Sequence, residues 1–90
     1  MELKHYRITI SGLVQGVGFR IATKKMADAM GVTGVVRNQP DGTVFIEAEA
    51  DEELMKYFMI WCHQGPDESV VKWVSVDLGE LQNYTSFEIG

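Results

Sequence analysis

"HYRITISGLVQGVGFRIATKKMADAMG", residues 5–31, changes its hydrophobic period halfway along. In the first part Tyr6, Ile8 and Ile10 alternate with Arg7 and Thr9, the period of two that marks a half-buried strand. From about Phe19 onward Ile21, Ala22, Met26, Ala29 and Met30 fall at helical spacing, with Lys24, Lys25 and Asp28 on the other face and Gly31 as a natural stop. Three glycines, Gly12, Gly16 and Gly18, sit at the change of period. The stretch therefore reads as strand, tight turn, helix, with Arg20 at the helix start.

Downstream, "VTGVVRN" (32–38) and "TVFIEAEA" (43–50) are β-type runs on either side of "QPDG" (39–42), which suits a type I turn with Gly42 left-handed. Asp51 is placed to cap a second helix over 52–64, whose Leu54, Met55, Phe58, Trp61 and Cys62 form one apolar face before Gly65 and Pro66 end it. Two further strands are expected in "SVVKWVSVDL" (69–78) and "TSFEIG" (85–90). The order βαββαβ plus a short final strand predicts an α+β, ferredoxin-like split βαβ sandwich. Two helices should cover one face of an antiparallel sheet and leave the opposite face polar or solvated. Strand one should be central, with the strand that ends at Asn38 beside it.

A chain of 90 residues, 46% hydrophobic and 23% charged, has the composition of one folded domain, 1–90, with a single core. No apolar run approaches the roughly 20 residues of a membrane span, and the N-terminus lacks a signal-peptide layout, so the expected setting is cytoplasmic with no membrane partner. The lone Cys62 is incompatible with an internal disulfide or a multi-cysteine metal site. A net charge of −5 argues against nucleic acid as a partner. Yet residues 1–38 carry six bases and two acids, and residues 39–90 two bases and eleven acids. An anion would be drawn to the first segment, around the glycines.

Glycines allow positive φ and close backbone approach, so consecutive N–H groups at a helix start can form an anion cradle of phosphate size. Arg20 would add a forked pair of donors. Neither dinucleotide fingerprint nor P-loop fits, because Ile21 occupies the third small position and no Gly-Lys-Ser/Thr follows. Taken alone, the stretch fits an unliganded tight connection nearly as well, and Asn38 alone fits a turn residue.

"GLVQGVGFR" (12–20) followed by "GVVRNQPDG" (34–42) resembles the two signature segments of the acylphosphatase family, and the similarity runs through "EAEA", "GP" and the closing "FEI". The resemblance implies metal-free, cofactor-free hydrolysis of a small-molecule acyl phosphate to a carboxylate and inorganic phosphate by a monomer. By position it implies a phosphate-binding loop of Gln15, Gly16, Val17, Gly18 and Phe19, with Arg20 gripping the phosphoryl group and Asn38 positioning the attacking water. Family members often carry aromatic residues where this chain has Ile21, Ala22 and Val35, which points to altered packing around the loop or altered access for the acyl group.

Other residues carry quieter expectations. Cys62 reads as a buried structural thiol, His63 as surface, and His5 as unsuited to a metal. Lys24 and Lys25 read as a solvated helix face, and Tyr57, Phe58, Trp61 and Trp73 mainly as core or core edge. Two other functions fit the same fold: a module that binds phosphate or carboxylate without turnover, and an RNA-binding sheet, which the charge disfavours.

Overall fold

The computed structural model describes residues 2–90, and its elements follow the expected order: β1 (Leu3–Leu13), α1 (Phe19–Met30), β2 (Thr33–Asn38), β3 (Val44–Asp51), α2 (Glu52–Gln64), β4 (Val70–Gly79) and β5 (Phe87–Ile89). The strands lie in the order β4-β1-β3-β2-β5. Two expectations are corrected. The sheet is mixed rather than antiparallel, because β5 pairs with β2 in parallel, Gly34 opposite Phe87 and Val36 opposite Ile89. And β2 does not lie beside β1, since β3 separates them, antiparallel to both.

The direction of the strands follows from that arrangement and decides where a site can form. Strands β1 and β2 both run against β3, so they run the same way, and β5 runs with β2. The C-terminal ends of β1, β2 and β5 therefore meet at one end of the sheet, which is where the glycine turn leaves β1.

Local chemistry closes each element. Asp51 accepts a hydrogen bond from the Leu54 N–H at 2.9 Å and caps α2. The 39–42 turn closes with the Gly42 N–H donating to Gln39 O at 3.1 Å, and Gly42 has φ 93°. The core lies between the helices and one sheet face, with Ile8, Ile10, Val36 and Ile46 below Phe19 and Phe58. The apolar stripe of α1 is Phe19, Thr23 and Ala27, flanked by Met26 and Met30; Ile21 and Ala29 are exposed, contrary to expectation. The buried stripe runs at steps of four from Phe19, and Thr23 is tolerated there because its hydroxyl donates to Phe19 O at 2.7 Å.

Phe58 is fully buried, and Trp61 is half-buried with its ring 5.6 Å from that of Phe19. Tyr57 and Trp73 are exposed rather than core: Tyr57 lies on the outer side of α2, and Trp73 lies opposite Ser11 on the sheet face away from the helices. Cys62 is buried, and burial pushes its thiol up to about 12, so it stays protonated and inert.

The face opposite the helices is not simply solvated. Because β4 and β5 occupy opposite edges, the segment 80–86 crosses that face, and His5 and Glu49 are buried beneath it. Glu49 accepts from the backbone N–H of Gln82 at 2.6 Å and of Tyr84 at 3.2 Å, and lies 2.7 Å from His5 Nδ1. Burial pushes the Glu49 carboxyl up, but the bonds from Gln82, His5 and Tyr84 together outweigh it and hold it below its ordinary 4.5. A depressed folded-state value means this stabilisation is complete above about 4.5 and is lost as the pH falls through the lower value. Glu49→Ala strands two N–H groups and is expected to cost about 2–3 kcal/mol, read from urea midpoints at pH 7. The deficit relative to wild type should shrink in acid; a constant deficit would count against the carboxylate as its source.

Candidate functional site

The β1–α1 turn carries two glycines in left-handed backbone. Gly16 and Gly18 have φ of 74° and 76°, and a Cβ at either would meet nothing within 4 Å. Glycine is thus required by backbone conformation, and the space beside it is open. Gly18 is also the N-cap of α1 and supplies no side-chain cap. No backbone N–H of residues 15–18 donates to a described residue, and the first helical N–H to do so is that of Ala22, to Gly18 O at 3.0 Å. A run of free donors at the positive end of a helix dipole results.

Beside them is a cavity of about 330 Å³ lined by Gly16, Gly18, Arg20 and Asn38. Arg20 is half-buried, and its Nη1 lies 3.4 Å from Gly90 O. Gly90 is itself held by its N–H to Val36 O at 2.8 Å. Asn38 is the last residue of β2, two beyond the buried Val36, so strand alternation turns it to the helix side of the sheet, at the end where α1 begins. Its side chain forms no hydrogen bond to any described residue. The neighbouring Arg37 faces the other way, its guanidinium 4.7 Å from the centre of the Phe45 ring and 3.6 Å from Glu47.

The residues read from the motif divide into two groups. Gly16, Gly18, Arg20 and Asn38 come together around the cavity with Phe19 in its wall, while the side chains of Gln15, Val17 and Phe19 make their main contacts elsewhere. Val17 packs against the core, the Phe19 ring is 2% exposed within it, and the Gln15 amide bonds to the 39–43 turn. For these three only the backbone is available to an anion. Four apolar residues complete the lining: Val14 and Phe19 from the core side, Ile21, one of the departures noted in the sequence, and Ile89. Ile89 arrives on β5 from the far end of the chain, and no local pattern signals it. Lys24, expected to be solvated, donates to Phe87 O at 2.7 Å and so ties α1 to that strand.

A backbone cradle, one guanidinium and one neutral amide facing the same space can bind a tetrahedral dianion and hold a polar molecule against it. The family model described as Acylphosphatase matches residues 6–89. An acylphosphatase of Ligilactobacillus salivarius is 43% identical over 89 residues, covering 97% of this chain and 98% of that protein. One of Lactiplantibacillus plantarum is 50% identical over 80 residues, covering 88% and 89% of the two. The crystal structure of acylphosphatase from Bacillus subtilis superposes with a TM-score of 0.94 at 37% identity, over 99% of both chains.

Proposed function

This chain belongs to the acylphosphatase family, and from that premise we propose how its own residues carry the hydrolysis. The backbone N–H groups of residues 15–19 and the Arg20 guanidinium hold the phosphoryl group, and Asn38 aligns water behind phosphorus, opposite the leaving oxygen. The observation that carries this reading is that Gly16, Gly18, Arg20 and Asn38 line one cavity although Arg20 and Asn38 stand on separate elements.

The chemistry asks for little else. The bond from phosphorus to the acyl oxygen breaks as the bond from phosphorus to the water oxygen forms. The leaving group is a carboxylate whose conjugate acid has a pKa of about 4, so it departs unprotonated and needs no general acid. Charge accumulates on the phosphoryl oxygens, where fixed donors are most effective. Asn38 is neutral, a donor and an acceptor but no base. The water proton accordingly passes late to a phosphoryl oxygen of the substrate, yielding a carboxylate and dihydrogen phosphate.

No metal enters this scheme, since Arg20 and the loop supply the positive potential. A cytoplasmic monomer acting on small molecules fits the buried free thiol and the net charge of −5. The test is phosphate release from acetyl phosphate by purified protein with excess chelator. Turnover unaffected by chelator is expected; phosphate bound without turnover, or activity abolished by chelation, would overturn the reading.

A further inference from the structure

The Gln15 side chain lies in the middle of the loop motif and faces away from the cavity. Its Nε2 donates to Gln39 O at 2.7 Å and to Thr43 O at 2.9 Å. These carbonyls belong to the first and last residues of the turn after β2. Each already accepts one backbone donor, Gln39 O from Gly42 at 3.1 Å and Thr43 O from Gln39 at 2.9 Å. A carboxamide nitrogen has two N–H bonds, and both are used. The reverse orientation would set Oε1 against two carbonyl oxygens, so the network fixes which way the amide points.

The next rung of that hairpin is Asn38 opposite Val44. Asn38 has no side-chain anchor among the described residues, so its distance from the cradle is set by the backbone that carries it. Gln15 is the side chain that bonds the 14–18 loop to that backbone. Val14 before it is buried, and Gly16 after it lines the cavity. One amide therefore joins the phosphate loop to the strand end presenting Asn38.

We propose that Gln15 is a positioning residue for the hydrolysis: its side-chain amide locks the 39–43 turn to the phosphate loop and so sets where Asn38 holds water relative to phosphorus. The proposal rests on the water-positioning reading of Asn38. It adds a role for the Gln15 side chain to the backbone role that residue has in the phosphate loop.

The test compares kcat, KM and inhibition by inorganic phosphate for wild type, Gln15→Ala, Gln15→Glu, Asn38→Ala and the Gln15→Ala/Asn38→Ala pair. Misplacement on the order of 1 Å costs up to about 100-fold in rate, so Gln15→Ala should lose roughly 10- to 100-fold in kcat with phosphate inhibition unchanged within about twofold. Gln15→Glu keeps the shape, loses both donors and sets an oxygen against two carbonyls; it should do no better than alanine. In the Asn38→Ala background Gln15→Ala should change kcat by less than about twofold, since the two act as one unit.

Weakened phosphate inhibition with kcat intact would make Gln15 a ligand and overturn the proposal. A full additional loss in the Asn38→Ala background would do the same, because Gln15 would then act elsewhere. If Asn38→Ala alone kept wild-type kcat, the reading of Asn38 would be what failed, and the proposal would fall with it. If Gln15→Ala folds poorly, Gln15→Glu carries the comparison: wild-type kcat in that variant would overturn the proposal.

Discussion

Arg20→Ala is expected to lower kcat/KM for an acyl phosphate by about 10³-fold or more and to weaken inhibition by inorganic phosphate with it. Arg20 is the one guanidinium lining the cavity among the described residues, and in the proposed mechanism it faces an anion whose charge is redistributed in the transition state. The loop N–H groups remain in the variant, so residual binding and residual turnover should both persist. Arg20→Lys restores charge but replaces a planar fork with a point charge, and should recover only part of the loss. Steady-state phosphate release and competition by inorganic phosphate measure both quantities. Undiminished activity in Arg20→Ala would remove the cradle from the mechanism, leaving the glycines as a tight connection.

Asn38→Ala is expected to separate binding from chemistry. The loop and Arg20 are untouched, so inhibition by phosphate should stay within about threefold of wild type, while kcat falls by about 10²- to 10³-fold as the water loses its alignment. Asn38→Asp distinguishes alignment from base catalysis. A carboxylate at this position faces the phosphoryl dianion and should depress kcat as well. Were Asn38→Asp instead to raise kcat and introduce an acidic limb to the pH profile, water activation by a base would replace the positioning role. Parallel loss of phosphate affinity and kcat in Asn38→Ala would assign Asn38 to the cradle.

Most of the fold was legible because its signals are local. The switch from period two to helical spacing around Phe19, the Asp51 cap and the QPDG turn each depend on neighbours within a few residues, and each stands where the pattern puts it. What the pattern could not show depended on partners far along the chain. The parallel docking of β5, the insertion of β3 between β1 and β2, and the burial of His5 with Glu49 all follow from how strands line up after the chain has doubled back. Even within α1, periodicity marked a helix but misplaced its buried stripe, because Phe19 and the bonded hydroxyl of Thr23 set the inner face.

The site divides along the same line. Composition and motif determined the chemistry on offer: glycines that admit left-handed backbone, an arginine at a helix start, and an asparagine at a turn. Only the tertiary structure decided which of those groups share a space. Arg20 and Asn38 meet because β1 and β2 both run against β3 and end at the same side of the sheet, a relation between strands that no local pattern encodes. The structure also decided the direction of each side chain within the motif. Backbone freedom at Gly16 and Gly18 is a property of residue type, whereas turning the Gln15 amide toward Gln39 and Thr43 requires those carbonyls to have arrived.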